Sequence, residues 1–265
     1  MAESERVRTE IADHVAVVTL TRADKHNALD LPMFEAVVDA AARVGAAPGI
    51  RAVVLHGDGP SFCSGIDLAS MMGSDDGLER IADAVGETPP NLFQRAAHDW
   101  MMLPMPVIAA LHGNCLGGGL QIALGADIRV AAPDARLSVM EVKWGLVPDM
   151  AITRTLTRLV AIDVAKELTY TARALDAVEA HRLGLVTHLA GDPLAAARAL
   201  AAEIAQRSPD AVRAAKRLYD SAWRGSAAET LALEAELQLG LLGSPNQLAA
   251  VAAGLKREPA EFVDR

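Results

Sequence analysis

The sequence predicts an α/β fold followed by a helical C-terminal region, and three observations carry that prediction. Short apolar runs alternate with stretches of helical period up to about residue 190. Beyond residue 191 the composition turns to Ala, Leu, Arg and Glu, with helix punctuation and no strand signal. At 265 residues, 51% of them hydrophobic, the chain is long enough and apolar enough to bury a sizeable core.

The elements follow in order. Residues 7–20 read as two short strands around a turn at Asp13. Asp30 reads as a helix N-cap, with Met33, Val37, Ala40, Ala41 and Val44 recurring at helical spacing behind it. Glycines 45 and 49 end that helix before a buried strand at 52–56 and a Gly- and Ser-rich loop at 57–65. The polar stretch 73–90 carries the weakest signal of the chain, and no element is assigned to it. A helix is expected over 91–103, stopped by Pro104 and Pro106 ahead of an apolar strand at 107–111. A glycine-rich loop at 112–119 follows, then short strands at 127–130 and 137–139, and a helix from Asp149 toward residue 160. Four further helices are predicted over 193–206, 209–223, 227–242 and 245–255. The expected division is a core at 1–190 that holds the site and a region at 191–265 for packing and oligomerisation. No repeat or linker interrupts it.

Charge and composition exclude several classes of function. Lysine and arginine number 25 against 34 acidic residues, a net charge of −9, so no general attraction to nucleic acid or anionic lipid is expected. An anionic ligand therefore needs a local basic pocket. No long uncharged apolar run suggests a signal peptide or a membrane helix, and a cytoplasmic protein is expected. Two cysteines, Cys63 and Cys115, read as free thiols in a reducing compartment. The seven histidines show no metal-ligand spacing, so no metal is assigned. Glycines 117, 118 and 119 lack the spacing of a dinucleotide turn, no phosphate loop occurs, and Ser64 is not framed as a hydrolase nucleophile.

Two glycine-containing turns remain, each after a buried strand: Ser61-Phe62-Cys63-Ser64-Gly65-Ile66-Asp67-Leu68 and His112-Gly113-Asn114-Cys115-Leu116-Gly117-Gly118-Gly119-Leu120-Gln121. With Asp24-Lys25-His26-Asn27-Ala28-Leu29, the run Ala126-Asp127-Ile128-Arg129, and Glu141-Val142-Lys143-Trp144-Gly145-Leu146-Val147-Pro148-Asp149, they stand in an order that resembles the enoyl-CoA hydratase/isomerase (crotonase) family. The resemblance implies a crotonase-like β/α spiral core and an acyl-CoA thioester as substrate, with no separate cofactor. It also implies a homotrimer or a dimer of trimers.

The thioester explains the loops. Enolate formation places negative charge on the thioester oxygen, and fixed backbone N–H donors stabilise it by roughly 3–4 kcal/mol each. The resemblance implies Ser64 and Gly118 as those donors, with Gly65, Ile66 and Gly117 lining the substrate path and Asp67 shaping the loop. Glycine at 117–119 lets backbone approach a ligand with no Cβ between them.

The acids are less uniform. Hydratases of the family use two glutamates to hold a water, at the positions matching 121 and 141. This chain has Gln121 and Glu141, and a glutamine amide cannot donate and regain a proton at neutral pH. Asp149, eight residues after Glu141, resembles the dienoyl-CoA isomerase branch, where an Asp takes a proton from the acyl α-carbon and a Glu delivers one farther along the chain. Asp149 reads equally as a helix N-cap and Glu141 as a solvated charge. Gln121 reads as a substrate-orienting residue. For the phosphates of coenzyme A, Lys25 beside Ala28 is the first candidate, with Lys256 and Arg257 behind it, and a solvated lysine is the alternative. Bond migration is thus expected ahead of hydration. Thioester hydrolysis, carbon–carbon cleavage and binding without turnover stay open.

Overall fold

A computed structural model describes residues 6–73, 77–223 and 225–264. Two antiparallel strands, β1 (Val7–Ala12) and β2 (Val15–Leu20), open the chain, with the positive φ of Asp13 and His14 making the tight turn between them. Helix α1 (Leu31–Ala46) follows. Its N-cap is Asp30, whose carboxylate accepts the Met33 N–H at 2.9 Å and pairs with Arg6 at 2.7 Å. Then come β3 (Ala52–Gly57), α2 (Leu68–Met72), α3 (Gly77–Gly86), α4 (Leu92–Met102) and β4 (Val107–Leu111). The second glycine loop contains β5 (Asn114–Leu116) and opens α5 (Gly118–Leu124), before β6 (Ile128–Ala131) and β7 (Arg136–Ser138). A 3-10 turn at Glu141–Trp144 precedes α6 (Ile152–Thr155), α7 (Ile162–Thr171), β8 (Leu175–Asp176), α8 (Ala177–Leu183) and β9 (His188–Leu189). Four helices close the chain: α9 (Pro193–Ala205), α10 (Pro209–Ala222), α11 (Ala227–Leu241) and α12 (Pro245–Lys256).

The main sheet runs β1-β2-β3-β4-β6-β9 and is parallel after its first pair; a second sheet runs β5-β7-β8. Burial on both faces explains why β4 is apolar throughout and β3 from Ala52 to Leu55. Val53, Leu55, Val107, Ala109 and Leu111 face the large cluster beneath α1 and α4, where Phe34 meets Phe93 edge to face. Ala52, Val54, Ile108 and Ala110 face α9, which supplies Ala197 and Ala201 as small contacts that let it lie close. The first helix of the C-terminal run is therefore a layer of the sheet's packing.

One expectation is corrected and two segments without an assigned element gain structure. The segment 73–90 contains α3, although residues 74–76 of that stretch lie outside the described residues. The helix expected from Asp149 is short and late: α6 starts at Ile152, its N-cap position is Ala151 at φ 59°, and no side chain caps it. Asp149 is thereby removed as an N-cap. Residues 161–190, which showed no element in the sequence, hold two helices and two two-residue strands. Among the described residues no helix is long and apolar enough to cross a membrane.

Candidate active site

Both glycine loops leave the same ends of neighbouring strands, since β3 and β4 are parallel, and short backbone bonds stitch the loops together. Phe62 N–H donates to the His112 carbonyl, Cys63 N–H to Asn114, and Leu116 N–H back to Cys63, at 2.9, 2.9 and 3.0 Å. Asn27 braces the first loop from beneath. It is fully buried, donates from Nδ2 to the carbonyls of Asp58 and Ser61, and accepts the Arg22 N–H. Cys63 and Cys115 pair across the two loops as buried free thiols. Burial pushes the Cys63 thiol up to about 12, so neither thiol's surroundings favour a thiolate.

Ser64 was expected to offer its N–H to a ligand, and the structure corrects this. That N–H donates to the His26 carbonyl at 2.9 Å. The next free donor on the loop belongs to Ile66. Leu29 N–H bonds to the Gly65 carbonyl and Asp67 N–H to the Leu29 carbonyl, which is a parallel bridge centred on Ile66. In such a bridge the flanking groups face the partner strand, so the central N–H points the other way. It has no acceptor among the described residues. Gly65 at φ 92° makes the reversal possible, and a Cβ there would stand 2.9 Å from the Leu116 carbonyl oxygen. The two loops therefore touch at Gly65.

On the second loop Gly117 takes φ 51°, ψ −122° and spends its N–H on the Ser138 carbonyl at 2.9 Å. Gly118 is the first residue of α5, and its N–H has no acceptor among the described residues. A small cavity lies between the loops. Ser64, Gly65 and Ile66 form one side, Gly117, Gly118 and Glu141 the other. Its mouth is apolar: Leu68, Met140, Trp144 and Leu146, the last two exposed.

Glu141 is only 6% exposed. Its Oε1 accepts a bond from Gln121 Nε2 at 2.6 Å, whereas Oε2 is buried with no hydrogen-bond partner among the described residues. Gln121 is 1% exposed, and its own carbonyl oxygen accepts the Met150 N–H at 2.9 Å. Burial raises the Glu141 pKa above the ordinary carboxylate range, and the nearby Asp149 charge adds to the rise against backbone and Gln121 bonds that oppose it. Asp149 has an exposed side chain, yet the protein around its carboxyl raises its pKa as well. Glu141 thus lines the cavity with a raised affinity for a proton, and Asp149 is near enough for its charge to act on Glu141 but is not itself among the lining residues.

The remaining candidates lie farther out. Asp67 caps α2 through the Ser70 N–H at 3.1 Å and pairs with Arg22 at 2.8 Å; burial alone would raise its pKa, but those two contacts lower it. Ala28 is buried under the same loop. Lys25 is exposed next to it, its carbonyl accepting the Ser64 hydroxyl at 3.4 Å. Lys256 and Arg257 end α12 and do not line the cavity. Among the described residues no group of three or more metal-ligating side chains comes together.

Comparison with known proteins gives one answer. Residues 10–257 match the family model for enoyl-CoA hydratase/isomerase. The chain is 32% identical over 263 residues to "Probable enoyl-CoA hydratase echA8" of Mycobacterium tuberculosis, covering 98% of this chain and 99% of that one. It is 35% identical over 271 residues to human mitochondrial Delta(3,5)-Delta(2,4)-dienoyl-CoA isomerase, covering 98% and 82%. The crystal structure of an enoyl-CoA hydratase from Bacillus anthracis superposes with a TM-score of 0.89 at 29% identity, covering 97% of this chain and 98% of that one. A chain matched from end to end by hydratases and isomerases alike belongs to the enoyl-CoA hydratase/isomerase (crotonase) family.

Proposed function

We propose that this enzyme binds an acyl-CoA thioester, stabilises its enolate with the backbone N–H groups of Ile66 and Gly118, and moves a double bond along the acyl chain by proton transfer through Glu141 and Asp149. One observation carries the choice of reaction. Glu141 lines the cavity and the Asp149 charge acts on it, both carboxyl groups having raised pKa, while the third position holds an amide whose polar ends are both bonded within the chain. Hydration by two glutamates needs a second acid at that position, and Gln121 cannot supply it. Bond migration needs a group that takes a proton from one carbon and a group that returns one to another. Asp149 and Glu141 are suited to those roles, since a raised pKa brings a carboxyl nearer to neutral working pH.

The oxyanion assignment rests on N–H groups that have no acceptor among the described residues, one on each loop. The apolar mouth formed by Met140, Trp144 and Leu146 suits an acyl chain. Lys25, on the loop next to Ser64, is the candidate for a coenzyme A phosphate. A homotrimer or dimer of trimers fits the apolar side chains that α11 and α12 leave exposed, among them Leu231, Leu239, Leu248 and Leu255.

The test is to present purified protein with crotonyl-CoA and with a 3,5-dienoyl-CoA and to follow absorbance and product mass. New absorbance at longer wavelength, from a diene brought into conjugation with the thioester carbonyl, with no change of mass is expected from the dienoyl substrate. A product heavier by one water as the main outcome, or binding of both thioesters without turnover, overturns the proposal.

A further inference from the structure

We infer that Gln121 is a positioning residue, an amide clamp that fastens Glu141 to the backbone at Met150 and leaves Oε2 as the one carboxylate oxygen free to act. This goes beyond the reaction proposed above and rests on Glu141 being its proton carrier. Orientation of the amide is not ambiguous here. Met150 N–H requires an acceptor and the Glu141 carboxylate requires a donor, so Oε1 of Gln121 faces the first and Nε2 the second, at 2.9 and 2.6 Å. With both ends engaged and the side chain 1% exposed, Gln121 has no polar group pointed at a ligand. It therefore does not orient substrate, as the sequence suggested.

The clamp joins three segments that must keep register for catalysis. Gln121 lies three residues after Gly118 on α5, so the helix that presents the N–H donor also holds the acid. Met150 follows Asp149 directly and packs on α5, where a Cβ on Gly118 would stand 2.9 Å from its sulfur. Neutrality is the second requirement. A glutamate at 121 would set two carboxylates 2.6 Å apart, which forces them to share a proton. The charged group that acts on Glu141 is Asp149, which raises its pKa, while the neutral Gln121 amide and the nearby backbone of residues 140 and 141 lower it. Gln121 supplies a donor there without adding a charge.

Two variants of the full chain test this, each checked for folding by its thermal transition. In Gln121→Met the carboxylate loses its donor, so kcat for the thioester turned over by the wild type should fall about tenfold or more with KM little changed. A 13C titration of protein labelled at the glutamate carboxyl, with Glu141→Gln identifying the signal, should show Glu141 titrating at higher pH than in the wild type. In Gln121→Glu the clamp geometry returns only while residue 121 is protonated, so activity should approach wild type at low pH and fall along a new limb as pH rises. Unchanged kcat and unchanged Glu141 titration in Gln121→Met overturn the clamp. Water addition that increases in Gln121→Glu at every pH also overturns it, because position 121 would then serve a reacting water. Full turnover by Glu141→Gln defeats the parent reading instead, while the titration still reports on the clamp.

Discussion

Glu141 carries two oxygens with different surroundings, and that asymmetry sets what substitutions there do. Glu141→Gln and Asp149→Asn should each lower kcat by about 100-fold, the usual scale for a lost general acid or base, with thioester binding little changed. Stability should move the other way at residue 141. Burial raises the folded-state pKa, so the native chain binds a proton that the unfolded chain has released, and stability falls as pH rises from the ordinary glutamate value through the raised one. Glu141→Gln should therefore raise Tm at neutral pH, and the gain should vanish below about pH 4, where the unfolded side chain is itself protonated. Calorimetry at several pH values measures this. A variant less stable than wild type at pH 7 and equal to it at pH 4 would have the sign reversed.

At the scale of elements, α5 is held so close to the first glycine loop that there is no room for a side chain at its second residue. A Cβ on Gly119 would lie 2.6 to 2.8 Å from the carbonyl oxygen, Cβ and Sγ of Cys63. Gly119→Ala is expected to cost about 1–3 kcal/mol, the scale of an overpacked core, and to depress turnover because both N–H donors ride on the displaced segments. Chemical denaturation and kcat report the two effects. Asp67→Ala removes the α2 cap, worth about 1 kcal/mol, together with the Arg22 ion pair. It should weaken substrate binding through the loop that carries Ile66 more than it lowers kcat, and KM measures that.

Across the whole molecule the C-terminal tail is anchored far from where the sequence leaves it. Arg51, just ahead of β3, donates to both carboxylate oxygens of Asp264 at 2.8 Å and to the carbonyls of Ala205 and Phe262 at 3.0 and 3.1 Å. Asn246 on α12 braces the same tail through Val263. Arg51→Ala should cost about 1–3 kcal/mol, since it removes the donor to the Ala205 and Phe262 carbonyls and leaves Asp264 with the His14 contact at 3.5 Å. The Arg51 bonds lower the Asp264 pKa, so this contribution is present above the ordinary aspartate value and is lost as pH falls through the lowered one. Along α11 no residue is buried within the chain, although the helix is rich in leucine. Its leucines are interspersed with Glu229, Glu234, Glu236 and Gln238, and they are candidates for burial in the homotrimer or dimer of trimers proposed above. Light scattering should give a multiple of the chain mass, and Leu239→Lys with Leu248→Lys should reduce that mass without unfolding the chain.

The sequence by itself determined the alternating core, the helical tail, the two glycine loops and the family. Apolar period, turn residues and motif order are local properties, and they survive translation into structure at β3, β4, α1 and the four last helices. Segments whose order depends on packing were not legible. The strands β8 and β9 are two residues each, too short for any period, and exist because the neighbouring strands receive them. Only the tertiary structure decided which N–H is free. Ser64 and Ile66 are two residues apart, and the choice between them depends on His26 and Leu29 arriving from another part of the chain to accept or offer bonds. The partners of Gln121 were hidden for the same reason: Glu141 and Met150 lie 20 and 29 residues away in sequence, and the fold brings both to a single amide.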